Sequence, residues 1–249
     1  MKTRASPRPS RMKAGKDTSA LLIESGIALF GARGYDGVTT RELAHGARTN
    51  ISSIKYHFGG KEGLYHAVLE EIIHEITELV GPLLLALRNG VAEANGNRDV
   101  LTRLARQFAQ NWCRAALGDP RTQKRIPPIV REVIQPSRHF TVIYDGFFRV
   151  LYDVLGELLA AAHGQAAVDE ELQIRTHIIM NVVWGFIFTE SIFWHQMGWK
   201  GYNRNRIEAI VPILSDAFVL SIGLATKSAG AVRPRISSAR KHLSCNSPR

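Results

Sequence analysis

Residues 41–65 read RELAHGARTNISSIKYHFGGKEGLY, and Asn50, Ser52, Ser53, Lys55 and Tyr56 crowd hydrogen-bonding groups onto one short stretch. A core does not ask for so many small polar side chains, so their chemistry points outward, to a partner. On a wheel of 100° per residue, Ile54 and Phe58 share one side. Ser52, Ser53 and Tyr56 point away from them, with Asn50 at the N-terminal edge. Small hydroxyls admit close approach to base edges, and an asparagine amide pairs bidentately with adenine. Lys55, Tyr56 and Thr40 suit phosphate oxygens, which set register without reading sequence. Lys61 joins its charge to the positive end of the helix it opens, a natural phosphate clamp. On periodicity alone, an ordinary capped helical hairpin describes the stretch equally well.

The elements that must position these residues read as helices. A first helix over about 18–33 carries Leu22, Ile23, Gly26, Ile27 and Phe30 on one stripe, with Asp17 or Thr18 to cap it and Gly34 to end it. Thr39-Thr40 is an N-cap pair for a second short helix with Leu43, Ala44 and Ala47 inward. A third runs about 50–57 until Gly59-Gly60, and a fourth runs from Lys61 to about 80, where Gly81-Pro82 should kink or end it. Five more helical stretches follow, at about 99–117, 121–135, 137–162, 169–196 and 204–226. No run alternates as a strand does, so the expected fold is all-α: a small N-terminal three-helix unit joined to a larger C-terminal helical bundle. The expected division is a disordered basic tail 1–16, a helix-turn-helix unit 17–77, a helical domain 78–227 and a second basic tail 228–249.

Composition sets bounds. The 249 residues carry a net charge of +10, but residues 1–17 and 227–249 hold twelve Lys/Arg and one Asp between them. The remainder is nearly neutral. Ser-, Pro- and Lys/Arg-rich tails bury too little to fold, and they either lend a salt-sensitive affinity for phosphate or simply solubilise. Cys113 and Cys245 have no metal or redox spacing, a pattern of reducing compartments that suits a cytoplasmic protein. Residues 178–196 are the most apolar run, yet Asn181, Glu190 and His195 interrupt it, so a buried helix is expected and no membrane partner.

The stretch TSALLIESGIALFGARGYDGVTTRELAHGARTNISSIKYHFGGKEGLYHAVL resembles the DNA-binding domain of the TetR family of transcription regulators. The resemblance rests on Ala28–Phe30, Gly34-Tyr35, Thr39-Thr40, the Ile-x-Tyr-His-Phe run at 54–58 and Lys61-Glu62, without a gap over about 50 residues. It implies phosphate contacts at Thr40 and Lys61, and base or backbone contacts at Arg41, Asn50, Ser52, Ser53, Lys55 and Tyr56. One position departs: Arg48 stands where the family usually has a turn glycine, with Gly46 two residues earlier. Either the turn differs or Arg48 accepts a left-handed conformation to reach a phosphate. Asn50-Ile51, Ile54, Tyr56-His57-Phe58 and REVIQPS at 131–137 resemble the CecR-like (YbiH-like) branch.

The resemblance further implies a homodimer through the last two helices, a double-stranded palindromic operator, and a C-terminal cavity for a small-molecule effector whose binding releases DNA. Most of the family represses. Phe108, Trp112, Tyr144, Phe147, His177, Trp184 and Phe188 are the candidates for lining such a cavity. His66, Glu70 and His74 share a helix face at metal-like spacing, but they belong to a charged stripe with Glu71, Glu75 and Glu78 and read as solvated surface, so no metal or other cofactor is expected. No Glu-x-x-His pair, Ser/His/Asp set or Gly-rich phosphate loop is read as supporting an enzyme. A sequence-blind nucleic-acid compaction protein driven by the tails is the other rival, and it predicts binding that collapses with salt.

Overall fold

The computed structural model describes residues 11–224, with side chains from Thr18 onward. The tails outside that range, and with them most of the expected disordered segments, lie beyond the described residues. Helix α1 (Arg11–Arg33) begins seven residues before the sequence suggests, because Met12, Lys13, Ala14 and Lys16 are good helix formers with only Gly15 against them. Helices α2 (Thr40–Gly46) and α3 (Ile51–Phe58) follow, and among the described residues every element is helical.

Helix α4 (Lys61–Glu93) corrects the sequence reading at Pro82. It passes through that proline and spans about 50 Å at 1.5 Å per residue. Proline removes one helical donor and crowds a carbonyl one turn back. Here Pro82 is on the exposed side, so the freed carbonyl faces water, while Val80, Leu84, Leu87 and Val91 continue the buried stripe. The apolar side that holds the helix in the core therefore survives the missing bond.

Helix α5 (Arg98–Gly118) is capped by Asn97, and α6 (Pro120–Ile134) by Asp119 with Pro120 in the first turn. The single helix expected over 137–162 is instead α7 (Phe140–Ile143), a π-helical turn at Tyr144–Phe148 and α8 (Arg149–His163). The wider turn lets two adjacent aromatics, Phe147 and Phe148, both be buried, and Phe148 turns to Trp184 at 5.4 Å between ring centres. Gly146 lies in that turn against α4, where a β-carbon would come within 2.6 Å of Ile73. The helix expected over 169–196 likewise breaks, into α9 (Glu170–Phe188) and α10 (Glu190–Met197), bent by 65° at Thr189. Helix α11 (Arg204–Ser221), capped by Asn203, packs along α5.

One continuous apolar core runs from Leu22 in α1 to Leu224. Among the described residues no single helix is long and apolar enough to cross a membrane, and only the bent α9–α10 pair passes on length and composition. Leu172, Ile179, Met180, Val183, Trp184 and Ile187 of α9 are buried in this core.

Candidate nucleic-acid interface and effector cavity

Local chemistry builds the α2–α3 unit. Thr39 caps α2 in a reciprocal capping box: its hydroxyl accepts from the Glu42 amide at 3.3 Å, and its own amide donates to Glu42 at 2.8 Å. Arg33 donates to the other Glu42 oxygen at 2.7 Å. That guanidinium, with the Thr39 amide and hydroxyl, holds the Glu42 carboxyl down at about 2. The buried Ser25 hydroxyl donates to the Leu43 carbonyl at 2.9 Å and ties α2 to α1.

The turn after α2 settles the Arg48 question in favour of the left-handed conformation. Arg48 has φ 52°, its amide donates to the His45 carbonyl at 3.0 Å, and the Thr49 amide donates to the Ala44 carbonyl at 2.9 Å. That pair of bonds is the Schellman arrangement, with Arg48 in the place glycine usually takes. Gly46 is not a displaced turn glycine. It lets α1 approach, since a β-carbon there would collide with the Ser25 hydroxyl.

Asn50 caps α3 by accepting from the Ser52 amide at 3.1 Å. Its oxygen is thus engaged, and its amide nitrogen is the part turned to other uses. Ser53 is half-buried and bonded to the Thr49 hydroxyl at 3.0 Å, so it braces the turn rather than facing wholly outward. Ile54 is buried and Phe58 packs on the core, as the wheel requires. Ser52, Lys55 and Tyr56 are on the exposed side, and Tyr56 is 84% exposed, an extreme value for an aromatic ring. Ile51, which the sequence reading passed over, is also exposed beside them and is the right type to meet a thymine methyl. Its signal was its place one residue after the cap, outside the Ile54–Phe58 stripe.

Arg41 is exposed on α2, where it borders a shallow concavity with Leu21, Arg33 and His45. Thr40 is half-buried in the first turn of α2. Gly59, left-handed at φ 74°, ends α3, and α4 starts from Gly60 without any side-chain cap. Lys61 holds its ammonium 4.2 Å from the centre of the Tyr35 ring, beside those uncapped amides.

Helix α6 joins this unit to the rest. Arg125, 7% exposed, donates to Glu24 of α1 at 2.6 Å and to Glu75 of α4 at 2.7 Å. Arg131 donates to the Gly31 and Ala32 carbonyls at the end of α1. Glu132 is buried and accepts from the Tyr65 hydroxyl of α4 at 2.5 Å and from the Ser137 amide and hydroxyl. Burial, reinforced by that carboxylate, pushes the Tyr65 phenol far above its ordinary range. Glu62 pairs with Arg138 in the loop after α6.

A cavity of about 260 Å³ opens between α6, the π turn, α8 and α9. Of the sequence candidates it gathers Tyr144, His177, Trp184 and Phe188, and adds Val133, Phe140, Phe148, Tyr152, Met180 and Asn181. Phe148 and Tyr152 were legible in principle, one and two turns beyond Tyr144. Phe108 and Trp112 fall elsewhere. Their rings are tilted at 5.5 Å; Phe108 meets Phe218 of α11, and Trp112 borders a small cleft with Ile129, Phe147 and Trp184. Phe147 turns to the α4 side, where it borders a separate groove.

His66 and His74 each pair with the glutamate one turn on, at 3.4 and 3.5 Å. The chain does carry Glu-x-x-His spacings, at Glu42/His45 and Glu71/His74, but among the described residues no three ligands converge on a metal position.

Two family models divide the chain: the tetR family of bacterial regulatory proteins matches residues 22–68, and the C-terminal domain of the HTH-type transcriptional dual regulator CecR matches residues 98–224. The chain is a TetR-family transcriptional regulator of the CecR branch. The HTH-type transcriptional dual regulator CecR of Shigella flexneri is 27% identical over 202 residues, covering 81% of this chain and 90% of that one. AibR, solved with isovaleryl coenzyme A and operator DNA, shares the fold at a TM-score of 0.56 and 16% identity, over 81% of this chain and 96% of its own. The hemolysin II regulator HlyIIR does so at 0.53 and 19%, over 82% and 97%. For this regulator, α2 and α3 are therefore the helix-turn-helix, with α3 the recognition helix.

Proposed function

We propose that this regulator is a homodimeric repressor that binds a palindromic double-stranded operator and leaves it when a small molecule occupies the α6–α9 cavity. The carrying observation is the chain of contacts from cavity to DNA-binding unit. Val133 lines the cavity, its neighbour Glu132 is bonded to Tyr65 of α4, and Arg131 is bonded to the end of α1. A ligand that displaces Val133 or Phe140 acts on the same short segment that fixes α1 and α4.

On DNA, Tyr56, Lys55, Ser52 and the Asn50 amide face the groove, with Arg41 and Ser53 at its edges. Thr40, Lys61 and the free amides of α4 hold phosphates. Dimerisation has a matching surface. Ile174 and Ile178 on α9, and Ala209, Ile213, Ala217 and Leu220 on α11, form exposed apolar stripes at helical spacing. Two such helices from each copy close a four-helix seam and set two recognition helices about one DNA turn, roughly 34–36 Å, apart. AibR's complex is a precedent for one such fold answering both an acyl thioester and an operator. The cavity here has no Lys or Arg lining to hold coenzyme A phosphates, so its effector is of another kind. The dual regulation named for the Shigella relative favours a second reading of the sign, repression at some promoters and activation at others.

The test is protein binding to labelled DNA from around its own gene, with unrelated DNA as competitor, and a promoter reporter with and without the gene. Competitor-resistant binding with a footprint of two half-sites, and derepression on deletion, are expected. Equal affinity for any DNA would overturn the reading.

A further inference from the structure

We propose that the α6–α9 cavity takes a neutral, planar one- or two-ring aromatic molecule bearing a single hydroxyl or similar donor–acceptor edge. This rests on the effector reading above and names the chemistry of its ligand.

The walls are flat. Trp184 and Phe188 lie stacked at 5.2 Å with 23° between planes, and Phe140 and Tyr144 at 6.0 Å with 28°. Buried Phe148 and Met180 close the inner end. Offset stacking and polarisable sulfur reward an aromatic guest over a saturated one of equal volume. The 260 Å³ is below the ~300–1,000 Å³ of drug-sized pockets, so one or two rings fill it.

The polar groups sit together at the mouth. The Tyr152 hydroxyl and His177 Nδ1 lie 2.5 Å apart. Of the two tautomers open to this pair, the proposed site uses the one in which the Tyr152 O–H donates to Nδ1. With Nδ1 accepting, the imidazole proton is on Nε2, a donor. Asn181 spends its amide nitrogen on the His177 carbonyl at 2.8 Å, which leaves its oxygen as the acceptor. One donor and one acceptor beside each other are what a hydroxyl pairs with.

The same lining excludes charge. No lining residue is Lys, Arg, Asp or Glu. Arg149, over the Tyr144 ring at 5.6 Å, is already paired with Asp145. An anion entering aromatic walls would lose hydration without a counter-charge.

Calorimetric titration of the full chain at pH 7 with 2-naphthol, 2-naphthoate, 2-decalol and decanoate is the test. Naphthol is expected to bind about tenfold or more tighter than the other three, as a site with placed polar groups discriminates. His177→Phe, on an exposed position, should erase the preference of naphthol over naphthalene. Met180→Trp should abolish binding of both, with folding checked by circular dichroism. Naphthoate, decalol or decanoate binding as well as naphthol would overturn the proposal, as would no binding of naphthol. Operator release is read separately by fluorescence anisotropy. Binding of naphthol without release would sink the effector reading and leave the cavity assignment standing.

Discussion

Replacing Arg48 with glycine should stabilise the protein and weaken its hold on DNA at once, and the two effects are separable. Arg48 sits at φ 52° at the end of α2, held by the two Schellman bonds from its own amide and from Thr49. A residue with a β-carbon pays roughly 1–2 kcal/mol there relative to the right-handed region. Glycine removes that cost but adds freedom to the unfolded chain, worth about 0.4–1 kcal/mol in the other direction. The net gain is about 0.5–1 kcal/mol, or a rise in Tm of about 1–4 °C for a chain of this size. Arg48→Ala keeps the β-carbon and should show no such rise. Both variants lose the exposed guanidinium. If Arg48 meets one phosphate in each protomer, the slope of log K against log salt falls by about 0.9 per site, nearly 2 for a dimer. Thermal melts and DNA titrations at four salt concentrations on the three proteins decide the matter. A lower Tm for the glycine variant, or equal melts for glycine and alanine, would refute the strain argument. An unchanged salt slope would remove Arg48 from the phosphate contacts.

Tyr56→Ala should abolish competitor-resistant operator binding with the melt unchanged, because the ring is almost wholly exposed and supports nothing in the fold. Tyr65→Phe takes one donor from the buried Glu132 and should cost about 1–3 kcal/mol, read as a fall in denaturant midpoint, with Ser137 left as the carboxylate's partner. A chain lacking 228–249, whose five Lys/Arg have no acid among them, should show a shallower salt dependence on all DNA but the same preference for its operator. The folded Glu42 carboxyl lies near 2 against an ordinary 4.5, so its stabilising contribution is complete above about 4.5 and is lost as pH falls towards 2. Melts of Glu42→Gln should therefore be flatter than wild type across that window.

The helix-turn-helix was legible because its signals are local. Thr39, Asn50 and Gly59 mark helix ends within three or four residues of what they cap, and Ile54 and Phe58 declare one face. The misread elements are those decided at a distance. Pro82 ends a helix only if its missing bond faces the interior, and that depends on which side α4 buries. The π turn answers to two adjacent phenylalanines claimed by different neighbours, α4 and α9. The cavity was half legible for the same reason: Tyr144, His177, Trp184 and Phe188 meet only once α8 and α9 pack, whereas Phe108 is spent against Phe218 of α11 and Trp112 on a neighbouring cleft.

The architecture also says why a small ligand would matter to a distant surface. Helix α4 begins at Lys61, directly after α3, and its apolar stripe stays buried to Val91, so it belongs to both halves of the core. Close-packed interiors transmit displacement rather than absorb it. Among the described residues, two sets of polar bonds fix α6 to the DNA-binding unit, the Arg125 fork between Glu24 and Glu75 and the Arg131–Glu132 pair on α1 and Tyr65. Both are buried or half-buried, directional and short, and such contacts are made or broken rather than stretched. Movement of the 133–140 segment at the cavity is thus felt first at Glu132 and Ser137, then at Tyr65, four residues into the helix that opens at Lys61. A double-mutant cycle between Tyr65→Phe and Ser137→Ala would measure that link. A coupling of about 0.5–3 kcal/mol is expected for residues sharing one buried carboxylate, and strict additivity would mean the segment is not mechanically joined to α4 through Glu132.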